Sequence, residues 1–584
     1  MSEVLFKYFD PEAIKLAFYR VQCWSDKTVK DQVGLKAFGA NLDTNAKRLH
    51  EKIMDGIYTP QRGFKFYMPK STRTLRTKTM LEVEDALVYQ AIANKIAELH
   101  QPKLSELEEF VFGSVLAPDV TKGVALIKDK EPNYFFFKFW KGLFRKFKES
   151  VLHSIEIDKT RYKFETDITG FFDSIPHYNL LLVLSEEFGV EDEILDLLSD
   201  CFNVWSGTKE SMTPGVGIPQ GPIPSFFFAN LILHELDGQI VGQGYKYYRY
   251  MDDIHIYGFE ENELVEALLI IDKYTKGNGL SINSKKTSIQ EIEDGKEEET
   301  IKKEIKKLSL SALYSEDPDE IINTDLFDDN KKEEINDNSK LLDKEVNKLS
   351  EQDQGPRIDS FWKNVTTLKD EKEIKEFWEE QFREVEKKLP ELFINSGNSK
   401  NLQLNERVED IDFIKLSVQY SSSKKALLDI GIEKEVDTAL IKYWLFAYQK
   451  FFWRVNNLGI ILGAYGANQE VKTALMKMYE VQFKPYEWVR YYIIMILSFN
   501  QEFSDKELRQ VFFRWLKEEN SDLVKISLYR LLFKHSKSKQ FSSSLKKELQ
   551  KEPSVQLKLI IADFNRSNRQ QEIDMVEFIN TIGL

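Results

Sequence analysis

Two adjacent aspartates between two strand-like runs most constrain what this chain can fold into. In the stretch KYYRYMDDIHIYGF, Asp252 and Asp253 separate segments rich in tyrosine and isoleucine. Apolar and polar residues alternate on both sides, which is the pattern of a β-hairpin. Two like charges inside an apolar hairpin are unfavourable unless a cation joins them. The sequence therefore predicts a hairpin that presents two carboxylates to a positive partner.

A third aspartate follows another predicted strand. The stretch YKFETDITGFFDSIPH places Asp167 at the end of a strand, followed by a turn into a helix. Carboxylates on neighbouring strands suit Mg²⁺, which prefers oxygen ligands and typically takes one or two carboxylates plus substrate phosphates. Two such ions can activate a 3′-hydroxyl and stabilise a leaving pyrophosphate. The residues themselves thus indicate nucleotidyl transfer.

The uneven charge of the chain leaves a nucleic-acid partner open. The chain has 584 residues and a net charge of −14, but the segment 291–353 contains 21 acidic residues and 10 lysines. That segment alone accounts for most of the negative charge. Basic clusters occur elsewhere, in PKSTRTLRTK (69–78) and KFWKGLFRKFK (138–148). Total charge is therefore a poor guide to what the remainder binds.

Cysteine content and hydropathy predict a cytoplasmic protein without a membrane partner. The two cysteines, Cys23 and Cys201, cannot form a disulfide framework or a four-thiolate zinc site, which suits a reducing compartment. No apolar run reaches the roughly 18 residues of a membrane span. The first residues carry early acids and no long apolar core, so they do not resemble a secretory signal.

Three regions follow from the sequence pattern. Residues 1–290 mix helical and strand patterns, residues 291–357 form an acidic charged linker or insertion, and residues 358–584 have helical period throughout. Three helical segments align on Val489, Val524 and Val555, at spacings of 35 and 31 residues. Such spacings suit stacked helix-pair repeats of the HEAT type. An irregular helical bundle is the alternative.

Five ordered motifs resemble those of reverse transcriptases over residues 40–290. They are PKSTRTLRTKTMLEVEDALVYQAI, TDITGFFDSIPH, GIPQGPIPSFFFANLILHELD, YMDD and GLSINSKKTSI. The resemblance implies an α+β core of fingers and palm, with a mixed or antiparallel palm sheet backed by helices. An all-α C-terminal domain with HEAT-like helical repeats would follow. The implied activity is that of an RNA-directed DNA polymerase, a DNA nucleotidyltransferase.

The resemblance also implies a role for each matching residue. The catalytic residues would be Asp167, Asp252 and Asp253, which with the carbonyl of Ile168 would also hold two Mg²⁺ ions, Mn²⁺ being the alternative. The residues that would bind the nucleotide are Lys70, Arg73, Arg76, Phe172, Gln220, Gly221 and Lys286. Those at the primer end would be Tyr250 and Met251.

Some of these roles have structural alternatives. Phe172 lies where the family places an aromatic residue that crowds the 2′-hydroxyl and favours deoxynucleotides, but it could equally belong to the core. Lys286 would assist pyrophosphate departure, and Arg76 would neutralise the triphosphate at the family's nine-residue spacing from Asp85. Lys70, Arg73 and Lys286 could also be surface charges.

The region after residue 290 resembles a particular group of these enzymes. It contains no cysteine-rich nuclease, no VTG motif and no evident ribonuclease H pattern. A long helical region instead resembles bacterial abortive-infection (Abi) and unknown-group reverse transcriptases, which act in phage defence. Such enzymes can work without a template, prime on a protein hydroxyl and form homo-oligomers. The implied partners are deoxynucleoside triphosphates (dNTPs), a single-stranded DNA product and an RNA template.

Three other interpretations stay open at this stage. The enzyme could copy a dedicated noncoding RNA, or the chain could be a nucleic-acid or partner-binding scaffold without polymerase activity. In the helical region, Arg530 and His535 form the R-x4-H pattern of HEPN-type ribonucleases. Because they lie in the repeat-like segment LVKISLYRLLFKH, a role at the helix surface or interface is the alternative.

Overall fold

A computed structural model gives the fold of most of the chain. It describes residues 2–23, 30–117, 125–126, 132–133, 135–138, 140–293, 295–302, 305, 371–394, 403–405, 408–429, 432, 434, 438–466, 468–500, 503–554, 557–558 and 560–562. Most of the predicted linker, and Val555 of the predicted repeat, lie outside these residues. The chain divides into a first unit, Met1–Phe64 with Thr79–Ile358, and a second unit, Lys65–Lys78 with Asp359–Leu584.

The first unit alternates helices with short strands. Its elements are α1 (Glu3–Phe9), α2 (Pro11–Cys23), α3 (Gln32–Gly39), α4 (Leu42–Met54), α5 (Val83–Ser105), β3 (Ala125–Leu126), β4 (Pro132–Asn133), α6 (Trp140–Glu156), β5 (Tyr162–Thr166), α7 (Phe171–Ser174), α8 (His177–Glu186), α9 (Asp192–Trp205), α10 (Ile223–Leu231), α11 (His234–Gly242), β6 (Lys246–Tyr250), β7 (Asp253–Gly258), α12 (Glu261–Gly277) and β8 (Ser288–Glu291). Strands β1 (Phe64–Pro69) and β2 (Leu75–Met80) form a hairpin, nearly all of which groups with the second unit.

The principal sheet of the first unit is antiparallel, one of the two alternatives that the sequence predicted. Its order is β6-β7-β5-β8. Strand β5 pairs with both β7 and β8, so that Thr166 lies opposite Ile254 and Glu165 opposite Ser288. Because neighbouring strands run in opposite directions, the end of β5 meets the start of β7 and the turn before β8. Three loops therefore lie at the same edge of the sheet: the loop after β5, the turn between β6 and β7, and the turn before β8.

The two faces of this sheet are covered by different cores, as the alternation of side chains along a strand requires. Ile254 and Ile256 of β7 lie in the main core, together with residues of α12. Tyr257, one position along, lies in a smaller cluster with Phe147 of α6. Burial on both faces fixes the strand register, since a one-residue slip would turn every side chain to the wrong face.

The second unit is mainly helical. Besides the hairpin β1–β2 it contains α13 (Glu371–Glu391), β9 (Phe393–Ile394), β10 (Gln403–Leu404), α14 (Asp410–Asp429), α15 (Thr438–Lys450), a 3₁₀ turn (Phe452–Arg454), α16 (Val455–Tyr465), α17 (Gln469–Lys477), a π-helical turn (Met478–Gln482), α18 (Glu487–Asn500), α19 (Asp505–Glu507), a second π-helical turn (Leu508–Phe512), α20 (Phe513–Glu518), α21 (Asp522–His535) and α22 (Lys539–Lys551).

The helical C-terminal region predicted from the sequence is confirmed for the described residues. Helix α18 packs against α16 and α21, while α13 packs against α14. Packing of each helix on others nearby in the chain suits a stacked array, but HEAT-like repeats stay a prediction. None of the helices that the structure describes combines the length and the apolarity needed to cross a membrane.

Candidate active site

Strand register brings the three predicted catalytic aspartates to one edge of the sheet. Asp167 directly follows Thr166, the last residue of β5, and Thr166 pairs with Ile254. Tyr250 of β6 pairs with Asp253 of β7, which leaves Met251 and Asp252 as the hairpin turn. Asp253 is therefore already a strand residue. The predicted hairpin is confirmed, and its geometry places the aspartates on adjacent strands.

The charges of these aspartates influence one another. Burial, together with the neighbouring carboxylates of Asp253 and Asp167, raises the pKa of Asp252 to about 6. The side chain of Asp253 reaches solvent, yet surrounding protein atoms desolvate its carboxylate enough to raise its pKa. Such a concentration of negative charge at one edge favours a bound cation.

Lys286 supplies one positive charge at this edge. Its Nζ donates to Oδ2 of Asp167, and this hydrogen bond raises the pKa of Lys286. The strand register explains this contact. Glu165 of β5 pairs with Ser288 of β8, and Asp167 and Lys286 each lie two residues beyond that pair. Thr287 adds a hydrogen bond between its hydroxyl and that of Thr166, at 2.8 Å. The predicted Lys-Thr motif thus lies beside the first aspartate.

The carboxylates fit a divalent cation chemically. The other oxygen of Asp167, Oδ1, is buried and has no hydrogen-bond partner among the described residues. A buried carboxylate oxygen without a donor costs free energy, which a cation would recover. Within the described ranges, no three His, Cys, Asp or Glu side chains form a ready-made metal cage. Mg²⁺ does not need one, because it commonly takes one or two carboxylates and completes its shell with water and phosphate.

A buried ion pair holds the aspartate turn, and the sequence motifs did not indicate it. Arg249 and Asp237 are each 1% exposed. The Arg249 guanidinium donates to both Asp237 oxygens, at 2.7 and 2.5 Å, and Tyr247 donates to the same carboxylate at 2.6 Å. A planar guanidinium suits this two-pronged geometry. The signal in the sequence was an arginine at a core-facing position of an alternating strand.

The remaining donor of Arg249 reaches the turn itself. Its Nη1 donates to the carbonyl of Met251 at 2.7 Å and to Asn230 Oδ1 at 2.9 Å. Met251 has φ +57°, which is unusual for a residue with a side chain. Asn230 in turn donates to the carbonyl of Gly113 at 2.7 Å. Arg249, Asn230 and the loop that contains Gly113 together fix the strained turn at Met251.

The two residues predicted at the primer end are firmly packed. The ring of Tyr250 meets the ring of Phe144 edge-on, with 5.0 Å between centroids, and burial raises the pKa of Tyr250 to about 12. Met251 packs over Gly113, where a Cβ atom would come within 2.4 Å of the Met251 nitrogen. Tyr250 precedes the turn and Met251 is its first residue, and both side chains pack against other residues.

Phe172 and Ile168 occupy core positions next to the site. Phe172 is 8% exposed and meets Phe226 edge-on, with ring centroids 5.3 Å apart. Its placement agrees with the core alternative and leaves a small exposed edge. Ile168 is 1% exposed and forms an isolated antiparallel bridge with Ile282. That bridge fixes the backbone immediately after Asp167.

The predicted Gln-Gly pair lies in the loop before α10. The carbonyl of Gln220 accepts a hydrogen bond from the Thr79 N–H at 2.9 Å. This loop therefore contacts the end of β2. Gly221 is buried and has φ +135°, a conformation that a side chain would strain. A glycine therefore suits this backbone position, while the contact of Gln220 and Gly221 with the nucleotide stays a prediction.

The three predicted triphosphate-binding cations are on the β1–β2 hairpin. Lys70, Arg73 and Arg76 are all exposed, and Arg73 has φ +68° at the hairpin turn. They belong to the second unit, whereas Asp85 belongs to the first. The Asp85 carboxylate accepts hydrogen bonds from the Tyr58 hydroxyl at 2.7 Å and from the Trp205 indole at 3.1 Å. Asp85 therefore stabilises the first unit itself.

His535 of the R-x4-H pair lies at a helix packing surface. The Nε2 atom of His535 is 2.9 Å from the carbonyl of Ser498, and its ring meets that of Phe503 edge-on at 5.1 Å. One imidazole nitrogen is thus engaged by backbone. These contacts favour the structural alternative, in which His535 joins α21 to α18.

Three carboxylates gathered at one edge of an antiparallel sheet can hold the two metal ions that nucleotidyl transfer uses. The profile described as "Reverse transcriptase (RNA-dependent DNA polymerase)" matches residues 70–312. The chain thus carries a reverse transcriptase domain and is an enzyme of the RNA-directed DNA polymerase class. Comparison with curated proteins gives no match.

Similar solved structures include three telomerase structures. Telomerase from Candida tropicalis with a TWJ fragment of telomeric RNA is 12% identical with TM-score 0.29, over 86% of this chain and 68% of that one. The apo enzyme of the same species is 9% identical with TM-score 0.29, over 89% and 69%. Candida albicans telomerase with such a fragment is 10% identical with TM-score 0.27, over 84% and 64%. Similarity at this level adds nothing to the domain assignment.

Proposed function

We propose that the protein joins deoxynucleoside monophosphates from dNTPs to a growing DNA strand, using Asp167, Asp252 and Asp253 as ligands for two Mg²⁺ ions. The observation that carries this proposal is the convergence of the three aspartates at one sheet edge, with one buried Asp167 oxygen lacking a hydrogen-bond donor. Reverse transcriptase domains in general use divalent cations. The bound ions would activate the primer hydroxyl and stabilise the charge on the phosphates.

The protein's own residues would position the reactants. The Arg249 network holds the turn that carries Asp252, so the carboxylates need not reorganise when substrate enters. Lys286 is protonated beside Asp167 and is available to hold charge on the departing pyrophosphate. Lys70, Arg73 and Arg76 would bind the triphosphate, as charge-assisted hydrogen bonds to phosphate are strong. Phe172 would disfavour a 2′-hydroxyl through its exposed edge.

A polymerase assay tests this proposal. Purified full-length protein is incubated with Mg²⁺ and labelled dTTP on poly(rA)–oligo(dT), with a parallel reaction that contains dNTPs and no nucleic acid. We expect incorporation by the wild type and none by the Asp252→Ala, Asp253→Ala double variant. Asp272→Asn is the matched control and should retain activity. It removes a carboxylate on α12 that forms a surface ion pair with Lys276. Equal incorporation by the double variant would refute the assignment.

We also propose a role in abortive-infection defence against phage. The support is the order of a reverse transcriptase domain followed by a long helical region, which resembles the Abi and unknown-group enzymes. Template-independent synthesis primed on a protein hydroxyl, and assembly into homo-oligomers, come with that resemblance. Phage plating on bacteria that express the wild type or the Asp252→Ala, Asp253→Ala variant is the test. Equal plating on both strains would remove the defence role.

The products distinguish the remaining alternatives. A DNA oligonucleotide attached covalently to the isolated protein, detected by mass spectrometry, would establish protein priming. A single co-purifying RNA sequence that is copied into complementary DNA would favour a dedicated noncoding template. RNA binding without incorporation under any metal would favour the scaffold interpretation. The intact carboxylates and the Lys286 pair argue against that last outcome, because a scaffold has no need of them.

A further inference from the structure

The hairpin that carries the predicted triphosphate-binding cations is built as an exposed tip on a buried base. The carbonyl of Thr74 accepts from the Lys70 N–H at 2.8 Å, and the Lys70 carbonyl accepts from the Arg73 N–H at 2.9 Å. The base of the hairpin is buried, since Lys65 is 5% and Phe66 2% exposed. A two-stranded hairpin is only marginally stable by itself in water. Contacts with other elements must therefore stabilise the β1–β2 hairpin.

The N-terminus of α18 binds the first hairpin strand through Glu487. One carboxylate oxygen accepts the backbone N–H of Tyr67 at 2.7 Å, and the other accepts the hydroxyl of Ser521, which precedes α21. Glu487 is only 6% exposed. A buried carboxylate is costly without donors, so this residue would be a poor choice for a surface without a partner. It joins the hairpin backbone to two helices of the second unit.

Stacked aromatic rings add a second contact beside Glu487. The rings of Phe66 and Trp488 are 5.6 Å apart between centroids and nearly parallel, with 11° between their planes. Both side chains are almost fully buried, at 2% exposed each. Stacked rings in contact stabilise the fold beyond the area that they bury. The hairpin base is therefore part of the packed interior of the second unit.

A third contact reaches the turn. The Tyr486 hydroxyl donates to the carbonyl of Arg73 at 3.3 Å. Arg73 has positive φ, so this bond fixes the turn at its most strained residue. The ring of Tyr486 itself packs on Phe452, with 5.0 Å between centroids. Three consecutive residues, Tyr486 to Trp488, thus hold the hairpin at its base and at its tip.

From these contacts we infer that the helical region positions the nucleotide-binding hairpin, with Glu487 and Trp488 as the principal positioning residues. The inference rests on the proposed function of Lys70, Arg73 and Arg76. Cations on a mobile hairpin would have to be ordered by each incoming triphosphate, which weakens binding. Cations on a supported hairpin are already ordered. The helical region would therefore set the affinity for dNTPs, while the aspartates set the rate of the chemical step.

Steady-state kinetics on full-length variants test this division of roles. dTTP is varied on poly(rA)–oligo(dT) with wild type, Glu487→Ala and Trp488→Leu. We expect the KM for dTTP to rise about tenfold or more in each variant, with kcat within about threefold of wild type. Glu552→Gln is the matched control, because this buried glutamate joins Lys525 and Tyr529 within the helical region and does not contact the hairpin. Its KM should be unchanged.

Hydrogen exchange measures the hairpin directly and does not depend on activity. In wild type the amide of Tyr67 should be protected, and Glu487→Ala should expose residues 65–78 to faster exchange while Glu552→Gln should not. Faster exchange together with a raised KM supports the inference. An unchanged KM and unchanged exchange in Glu487→Ala overturn it, even if the polymerase proposal stands. A polymerase whose activity survives loss of Asp252 and Asp253 overturns the proposed function instead.

Discussion

At the level of single residues, the ion pair between Arg249 and Asp237 determines how the aspartate turn is held. Both side chains are buried, and the same guanidinium also donates to the Met251 carbonyl. A buried pair of this kind contributes little net stability compared with an apolar pair, but it fixes geometry. Its position beside a strained turn therefore indicates a role in presenting Asp252 and Asp253.

Replacing Arg249 should separate charge from geometry. Arg249→Met leaves Asp237 buried without its partner and should lower the free energy of unfolding by about 3–5 kcal/mol. Arg249→Lys keeps the charge but loses the planar fork, so kcat should fall roughly tenfold to a hundredfold with KM for dNTP unchanged. Thermal melting and steady-state kinetics measure the two effects. Arg145→Met, which removes an exposed pair with Glu149, is the control. Normal kcat in Arg249→Lys would show that the fork is dispensable.

The pKa of Asp252 predicts how stability depends on pH without metal. Burial raises this pKa to about 6 from an ordinary value of 3.8. Between these values the folded protein binds more protons than the unfolded chain, so stability falls as pH rises, and above about pH 6 the full penalty applies. In EDTA at pH 8, Asp252→Asn should therefore be more stable than wild type by about 1–3 kcal/mol.

Thermal melting of wild type and Asp252→Asn checks this prediction. The gap between the two proteins should narrow as pH falls from 6 towards 4, and Mg²⁺ should stabilise wild type more than the variant. A wild type that melts above Asp252→Asn in EDTA at pH 8 would mean that burial and the neighbouring carboxylates do not penalise the charged form of Asp252.

At the level of elements, strand register explains why distant motifs meet. Pairing of β5 with both β7 and β8 brings together Asp167, the aspartate turn and the Lys286 turn. The sequence predicted the strand before Asp167 and the aspartate hairpin, and it identified the motif that contains Lys286, because strand alternation and motif order are local signals. It did not predict the Arg249–Asp237 pair, whose partners are twelve residues apart on a strand and a helix. Such a pair depends on tertiary packing, which no local pattern records.

The loop around Gly113 offers a test of how closely packed elements position the aspartate turn. A Cβ atom at Gly113 would come within 2.4 Å of the Met251 backbone nitrogen, so Gly113→Ala must displace the turn. We expect about 1–3 kcal/mol of destabilisation and roughly a hundredfold loss of kcat. Gly238→Ala is the control, because its Cβ would meet nothing within 4 Å and lies inside α11. Full activity in Gly113→Ala would show that the turn tolerates displacement.

At the level of the whole molecule, the residues predicted to act on the substrate belong to two different units. The aspartates and Lys286 lie in the first unit, whereas Lys70, Arg73 and Arg76 lie in the second. The sequence placed all of them in one contiguous region, because the motifs are contiguous along the chain. It could not show that the hairpin packs on helices more than 400 residues further on, since Phe66 and Trp488 meet only through the tertiary fold.

The assignment of this sheet edge as the active site is tested most directly by the rate of a single dTMP addition. This rate is measured as a function of Mg²⁺ concentration, in wild type and in Asp167→Asn. A rapid-quench experiment on poly(rA)–oligo(dT) isolates the chemical step. Wild type should show a saturable dependence on Mg²⁺, and Asp167→Asn should be slower by roughly a thousandfold at every concentration. An Asp167→Asn enzyme that reaches the wild-type rate would contradict the assignment of this sheet edge as the active site.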